Sequence, residues 1–285
     1  MEPAEGNGKA ALVIAHPGHE LCVHGWLESA RPRVFVLTDG SGRSGVSRLN
    51  STSEILADAG ASIGSIYGRF TDQNLYAAIL GGDFGLFEQI VVELAEALVR
   101  ENIAYVAGDA IEGYNPIHDV CRVVINAAVV VANRMSDRAI VNRDFLLLAR
   151  HHPHSEEVRA AAIWLTLDDD RLGRKLAVAR AYPELKGEVD ARLDKMTLER
   201  MQAFPELSAR FDSMVMGEMG SEAYRVECLR LVSRPRGNRA AKEIPFYERY
   251  GELLVAAGTY DRAIRYRDHI VPLAEAIWRF VDGND

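Results

Sequence analysis

The sequence predicts an α/β fold, a mostly parallel sheet flanked by helices, and three observations carry that prediction. Short apolar runs of strand length recur near 11–15, 33–38, 63–67 and 103–107. Stretches with helical periodicity separate them, near 20–30, 51–60, 84–101 and 119–133. The runs end in glycine, proline or polar residues just where the next periodic stretch begins. Such alternation implies a parallel sheet, because each crossover helix covers one face of it.

Each element follows from its own residues. Ala11-Leu12-Val13-Ile14-Ala15 is a continuous apolar run, which a fully buried strand requires. It ends at His16-Pro17-Gly18-His19-Glu20, and Val36-Leu37-Thr38-Asp39-Gly40 ends the second strand in the same manner. Phe84 to Arg100 places Leu86, Ile90, Leu94 and Leu98 on one face, with Glu88, Glu93 and Glu96 elsewhere. Ile103 to Asp109 reads as a strand, and His118 opens the apolar helix Val120 to Ala132 after the Asn115-Pro116 turn. A fifth strand is expected near 139–148. Beyond residue 150 the order changes: a strand at Ala161 to Leu167, helices near 170–190 and 196–213, a short segment Arg225 to Val232, and two helical stretches at the end. The chain is read as residues 1–185, a metal-binding α/β domain, and 186–285, a mainly helical C-terminal extension, with Ser233 to Lys242 as the hinge or linker.

Composition narrows the function classes. Hydrophobic residues make up 48% and charged residues 26%, as in an ordinary globular protein. A net charge of −8 argues against a nucleic-acid footprint, which needs a concentrated basic surface. No uncharged apolar stretch approaches the roughly 20 residues of a membrane span, and no secretory signal is visible at the N-terminus. Cys22, Cys121 and Cys228 are odd in number and widely spaced, so reduced thiols and a cytoplasmic setting are expected.

The histidines carry the chemistry. His16 and His19 leave the first strand at a Pro-Gly turn, on the sheet edge where open α/β folds bind ligands. His118 is offered from another strand-loop-helix junction on that edge. Three imidazoles converging there would suit one divalent metal with N-donor preference, zinc first. His151, His152 and His154 form a second cluster, read as a solvated loop.

Ala15-His16-Pro17-Gly18-His19-Glu20 resembles the Ala-His-Pro-Asp-Asp-Glu motif of the PIG-L/LmbE-like zinc-dependent N-deacetylases. Asn115-Pro116-Ile117-His118 is similar to their His-Pro-Asp-His motif. Thr38-Asp39-Gly40 and Gly68-Arg69-Phe70-Thr71-Asp72 are weaker echoes in the expected order. The resemblance covers roughly residues 10–185 and implies a Rossmann-like fold, one Zn2+ and the ligands His16, His19 and His118. One carboxylate ligand of the family is thus replaced by His19, its general base by Gly18, and its oxyanion-supporting histidine by Asn115. A three-histidine zinc site lowers the pKa of bound water to about 7, so nucleophile generation need not depend on a strong base.

Asn115, Asp119 and Glu20 are the candidates for catalysis, Asn115 at an oxyanion and the two carboxylates for the leaving amine. Asn115 and Asp119 serve equally as helix caps, and Glu20 as a helix-start charge. Asp39, Arg48 and Asp72 are the candidates for substrate binding, with the glycine-rich stretch 40–45 as a loop over the pocket. The expected activity is removal of an N-acyl (acetyl) group from an amino sugar, glycoconjugate or similar polar small molecule. The alternatives are changed chemistry on a polar metabolite, or a non-catalytic metal-binding or scaffold homologue. Homo-oligomerisation is left open.

Overall fold

In the computed structural model, residues 8–148, 156–193, 220–233, 235–236 and 244–283 are described. Seven strands form one sheet in the order β3-β2-β1-β4-β5-β7-β6. They are β1 (Lys9–Ile14), β2 (Arg33–Thr38), β3 (Ser62–Phe70), β4 (Ile103–Asp109), β5 (Val141–Phe145), β6 (Ile163–Thr166) and β7 (Val226–Leu231). The first five run parallel, and β7 is antiparallel to both β5 and β6. The helices are α1 (His24–Ala30), α2 (Leu49–Asp58), α3 (Asp72–Gly81), α4 (Phe84–Arg100), α5 (Pro116–Met135), α6 (Glu156–Ala161), α7 (Asp169–Ala181), α8 (Lys186–Leu193), α9 (Phe246–Ala256) and α10 (Val271–Gly283). This is the predicted α/β class.

Alternation along the strands builds two cores. Ala11 and Val13 of β1 join Phe35 and Leu37 against α3, α4, α5 and α10. Leu12 and Ile14 point the other way and pack with Val34, Val36, Trp26 and Tyr182 beneath α1, α2 and α7. Both faces of the central strands are therefore dry, as continuous apolar runs require. α5 is long and apolar enough to cross a membrane by length and composition, yet 83% of that window is buried inside the protein. It is a core helix.

Local chemistry explains most element ends. Asp83 accepts a hydrogen bond from Leu86 N–H to start α4, and Asp168 does the same for α7 through Arg171 N–H. α3 is an element that sequence periodicity missed. Thr71 and Asn74 form a reciprocal capping box there, and Gly82 closes the helix in the left-handed conformation. Its apolar pattern, Leu75, Ala78 and Ile79, is short and sits beside two glycines, which hides it in the sequence. The segment predicted as one helix near 20–30 divides into a 3-10 turn, His19–Val23, and α1. The segment near 170–190 divides at Tyr182-Pro183. The expected helix at 196–213 and the cluster His151, His152 and His154 lie outside the described residues.

The later strands are anchored to the first helix by buried charge. Glu227 of β7 is 1% exposed and accepts from Gly25 N–H at 2.8 Å and Trp26 N–H at 2.7 Å. Lys175 of α7 donates to Glu227 at 2.8 Å and to the Cys22 carbonyl at 2.9 Å. Part of the segment expected to be a helical extension thus supplies β7, inside the sheet, and through Glu227 holds the start of α1.

Candidate metal centre

The strand order reverses direction between β1 and β4, and this switch point is where open α/β sheets open a crevice at their C-terminal edge. His16 leaves β1 there, and His19 begins the 3-10 turn beyond Pro17-Gly18. Across the crevice, Asn115 caps α5 by accepting from Ile117 N–H, with Pro116 in the first turn, and His118 follows one turn in. The three imidazoles meet. Their ring centroids are 5.3 Å apart for His16 and His19, 4.9 Å for His16 and His118, and 4.5 Å for His19 and His118. Imidazoles ligating one tetrahedral ion have centroids about 5 Å apart, given zinc-nitrogen distances of about 2 Å. Among the described residues, no three donors are gathered on a single ion position. The ring spacing is that of a metal site; the donor convergence is not.

Hydrogen bonds fix two of the tautomers. The Thr38 hydroxyl donates to the Ala15 carbonyl, so it accepts from His16 Nδ1 at 2.7 Å. Asp72 Oδ1 lies 2.9 Å from the same nitrogen. Both neighbours of Nδ1 are acceptors, so Nδ1 carries the proton and Nε2 the lone pair. His16 Nε2 is buried with no partner. His19 Nδ1 sits 2.9 and 3.0 Å from the two carboxylate oxygens of Asp109, which imposes the same tautomer. Histidine ligands commonly carry such carboxylate partners, which orient the ring. The ring of His118 is held instead by edge contacts to the other two and to Tyr114.

Burial shifts two of the histidines. Burial, then the charges of His19 and His16, holds His118 well below its ordinary pKa. Burial also lowers His19, and Asp109 opposes this only in part. For Asp72, burial works against ionisation, but the His16 imidazole beside it and the Gly42 N–H outweigh it and keep the carboxyl well below its usual range. Neutral imidazole is the metal-binding form.

The other candidates take different places. Asp72 Oδ2 accepts from Gly42 N–H at 2.6 Å while Oδ1 lies 2.9 Å from His16 Nδ1, so Asp72 ties the glycine-rich loop to the histidine's side of the crevice. Asp39 accepts from Ser41 N–H in a local turn. Arg48 is half-buried at the start of α2, its side chain beside Gly40 and its charge felt at His19. Glu20 accepts from Gly18 N–H and the Thr52 hydroxyl, each at 2.7 Å, and burial raises its pKa to about 7. Asp119 Oδ1 accepts from Glu112 and Gly113 N–H and so shapes the loop before α5. Asp109, Thr38 and the Asn115 partner Tyr76 were not singled out from the sequence. Only the position of Asp109, at the end of a predicted strand on the histidine edge, could have flagged it.

Gly18 is closed to substitution. Its φ of 104° is a left-handed conformation, and a Cβ there would stand 2.4 Å from Leu185 Cδ1. Leu185, with Tyr182 beside it, packs where a Cβ on Gly18 would project. Gly18→Asp, which from sequence alone is a mild way to restore a carboxylate, is therefore expected to destabilise the fold. Overpacking costs about 1–3 kcal/mol and the left-handed backbone adds about 1–2 kcal/mol. A urea melt checks this, with a lower midpoint and no gain in hydrolysis as the expected result.

No family model matches this chain, and no curated protein matches it. Solved structures do. One is described as the zinc inhibited form of teicoplanin deacetylase Orf2, with TM-score 0.48, 13% identity, and coverage of 82% of this chain and 100% of that one. Another, a deacetylase-bog complex in the biosynthesis pathway of teicoplanin, has TM-score 0.49, 14% identity and the same coverage. A triple mutant of the deacetylase has TM-score 0.45 and 13% identity over 79% of this chain and 98% of that one. Likeness at this distance says nothing of what this chain does.

Proposed function

We propose that this chain is a metal-dependent hydrolase that removes an N-acyl group, acetyl first, from an amino sugar or similar polar small molecule. The observation that carries it is the meeting of His16, His19 and His118 at the switch point, with two Nδ1 atoms braced by buried acceptors. The motif order around these histidines supplies the reaction class. A bound divalent ion, zinc by donor type, supplies a Lewis acid for the amide carbonyl and acidity for water.

The chain's own residues do the rest. His16, His19 and His118 are the residues that would hold such an ion, His16 with its buried Nε2 left without a partner. Asn115 spends its carbonyl on the helix cap and hydrogen-bonds Tyr76, so the second N–H of its amide is the one it offers a developing oxyanion. Glu20 and Asp119 hold the Gly18 turn and the loop before α5, and so act by positioning. Arg48 and Asp39 stand at the rim for substrate hydroxyls.

One observation favours a second reading, a metal-binding homologue with no hydrolysis: position 18 is a left-handed glycine packed against Leu185 and carries no side chain to act as a base. Zinc-loaded protein incubated with N-acetylated amino sugars decides between them. Acetate release that stops with excess chelator and returns with zinc is the expected result. Release unaffected by chelator overturns the metal role, and no release from any N-acyl amino sugar leaves the second reading.

A further inference from the structure

Asp109 ends β4 directly beside the histidines and is fully buried. A carboxylate removed from water needs strong partners to remain there. Its side chain has two among the described residues. Oδ2 accepts from Ala15 N–H at 2.8 Å, and the carboxylate faces His19 Nδ1 at 2.9 and 3.0 Å. One acid therefore grips both the strand end that carries His16 and the ring of His19.

The carboxylate is itself rigidly placed. Val13 of β1 pairs with Gly108, whose backbone lies so close that a Cβ there would be 2.4 Å from the Val13 carbonyl. Arg122, also buried, donates to the Asp109 carbonyl and continues to Asn142 Oδ1 at 3.0 Å and the Arg143 carbonyl at 3.2 Å. The sheet and α5 together determine where Asp109 points.

We propose that Asp109 is the positioning residue that makes position 19 usable as an imidazole ligand. It selects the Nδ1–H tautomer of His19 and leaves the Nε2 lone pair on the opposite edge of the ring. It also sets a carboxylate group beside the three imidazoles, behind His19 and on the far side of its ring from Nε2. A carboxylate at position 19 would bring charge and donor together; with histidine there the two are divided between His19 and Asp109. The charge part rests on the metal reading above, whereas the tautomer part does not.

The test uses long-range nitrogen-proton NMR of histidine-labelled protein, with zinc and cobalt affinities from chelator competition. In the wild-type apoprotein His19 is expected as the Nδ1–H form. In Asp109→Asn an amide oxygen at the present Oδ2 position still accepts from Ala15 N–H and His19 Nδ1–H, while the NH2 stands at the Oδ1 position, 3.0 Å from His19 Nδ1, so the variant loses the charge and the second acceptor together. Its zinc affinity is expected to fall about 10-fold, and that of Asp109→Ala, with the tautomer lost, up to about 100-fold. His19 found as Nε2–H in the wild type, or a tautomer unchanged in Asp109→Ala, overturns the positioning role. Should Asp109→Ala not fold, Asp109→Asn decides alone: wild-type zinc affinity in it overturns the charge role. A wild type with the Nδ1–H tautomer that binds neither ion overturns the metal reading and the charge role together, and upholds the tautomer assignment.

Discussion

His118→Ala is expected to abolish stoichiometric zinc retention while the far-ultraviolet circular dichroism stays that of the wild type. His118 comes from α5, on the opposite side of the switch point from His16 and His19, so its removal leaves two imidazoles from one turn. Three protein ligands plus an open position is the minimum for a catalytic zinc site. The loss in affinity should exceed the roughly 10–100-fold that removal of an outer partner costs. The helix itself should survive, because its cap, Asn115, and its apolar face are untouched. Zinc measured by elemental analysis after gel filtration is the readout, and one equivalent of zinc in the variant would refute the donor set.

Lys175→Met is expected to produce the largest loss of stability. The ammonium is 3% exposed and its partner Glu227 1% exposed, so the substitution leaves a buried carboxylate without its cation. Breaking a buried pair from one side costs about 3–5 kcal/mol. Adding Glu227→Gln should recover part of this, since the amide oxygen still accepts from Gly25 or Trp26 N–H without a buried charge. Urea unfolding of the single and double variants measures both. A single variant within about 1 kcal/mol of wild type would show that the site takes up water and that the pair is not the anchor between β7 and α1.

Much of the fold was legible along the chain. The interiors of β1, β2 and β4 are continuous apolar runs because both sheet faces are covered, and that pattern needs no tertiary information. The α4 stripe and the Pro116 start of α5 are equally local. α3 was not legible, because a capping box of Thr71 with Asn74 and three apolar contacts give too short a periodic signal. The breaks at Val23–His24 and at Tyr182-Pro183 were missed since residue patterns alone leave helix type open there.

At the candidate site the division has the same cause. The sequence by itself determined that His16, His19 and His118 leave strand ends or open helices on one edge, because those ends are local events of Pro, Gly and Asn chemistry. Only the tertiary structure decided what each polar residue touches. Asp72 and Asp109 face ring nitrogens 56 and 90 positions away in the chain, through parallel strands whose neighbours are remote in sequence. Leu185, 167 positions from Gly18, packs where a side chain at position 18 would begin. Glu227 reaches α1 from β7, 202 positions from Gly25. Partners at such separations depend on strand order and crossover packing, which are global minima of burial and not properties of any local segment.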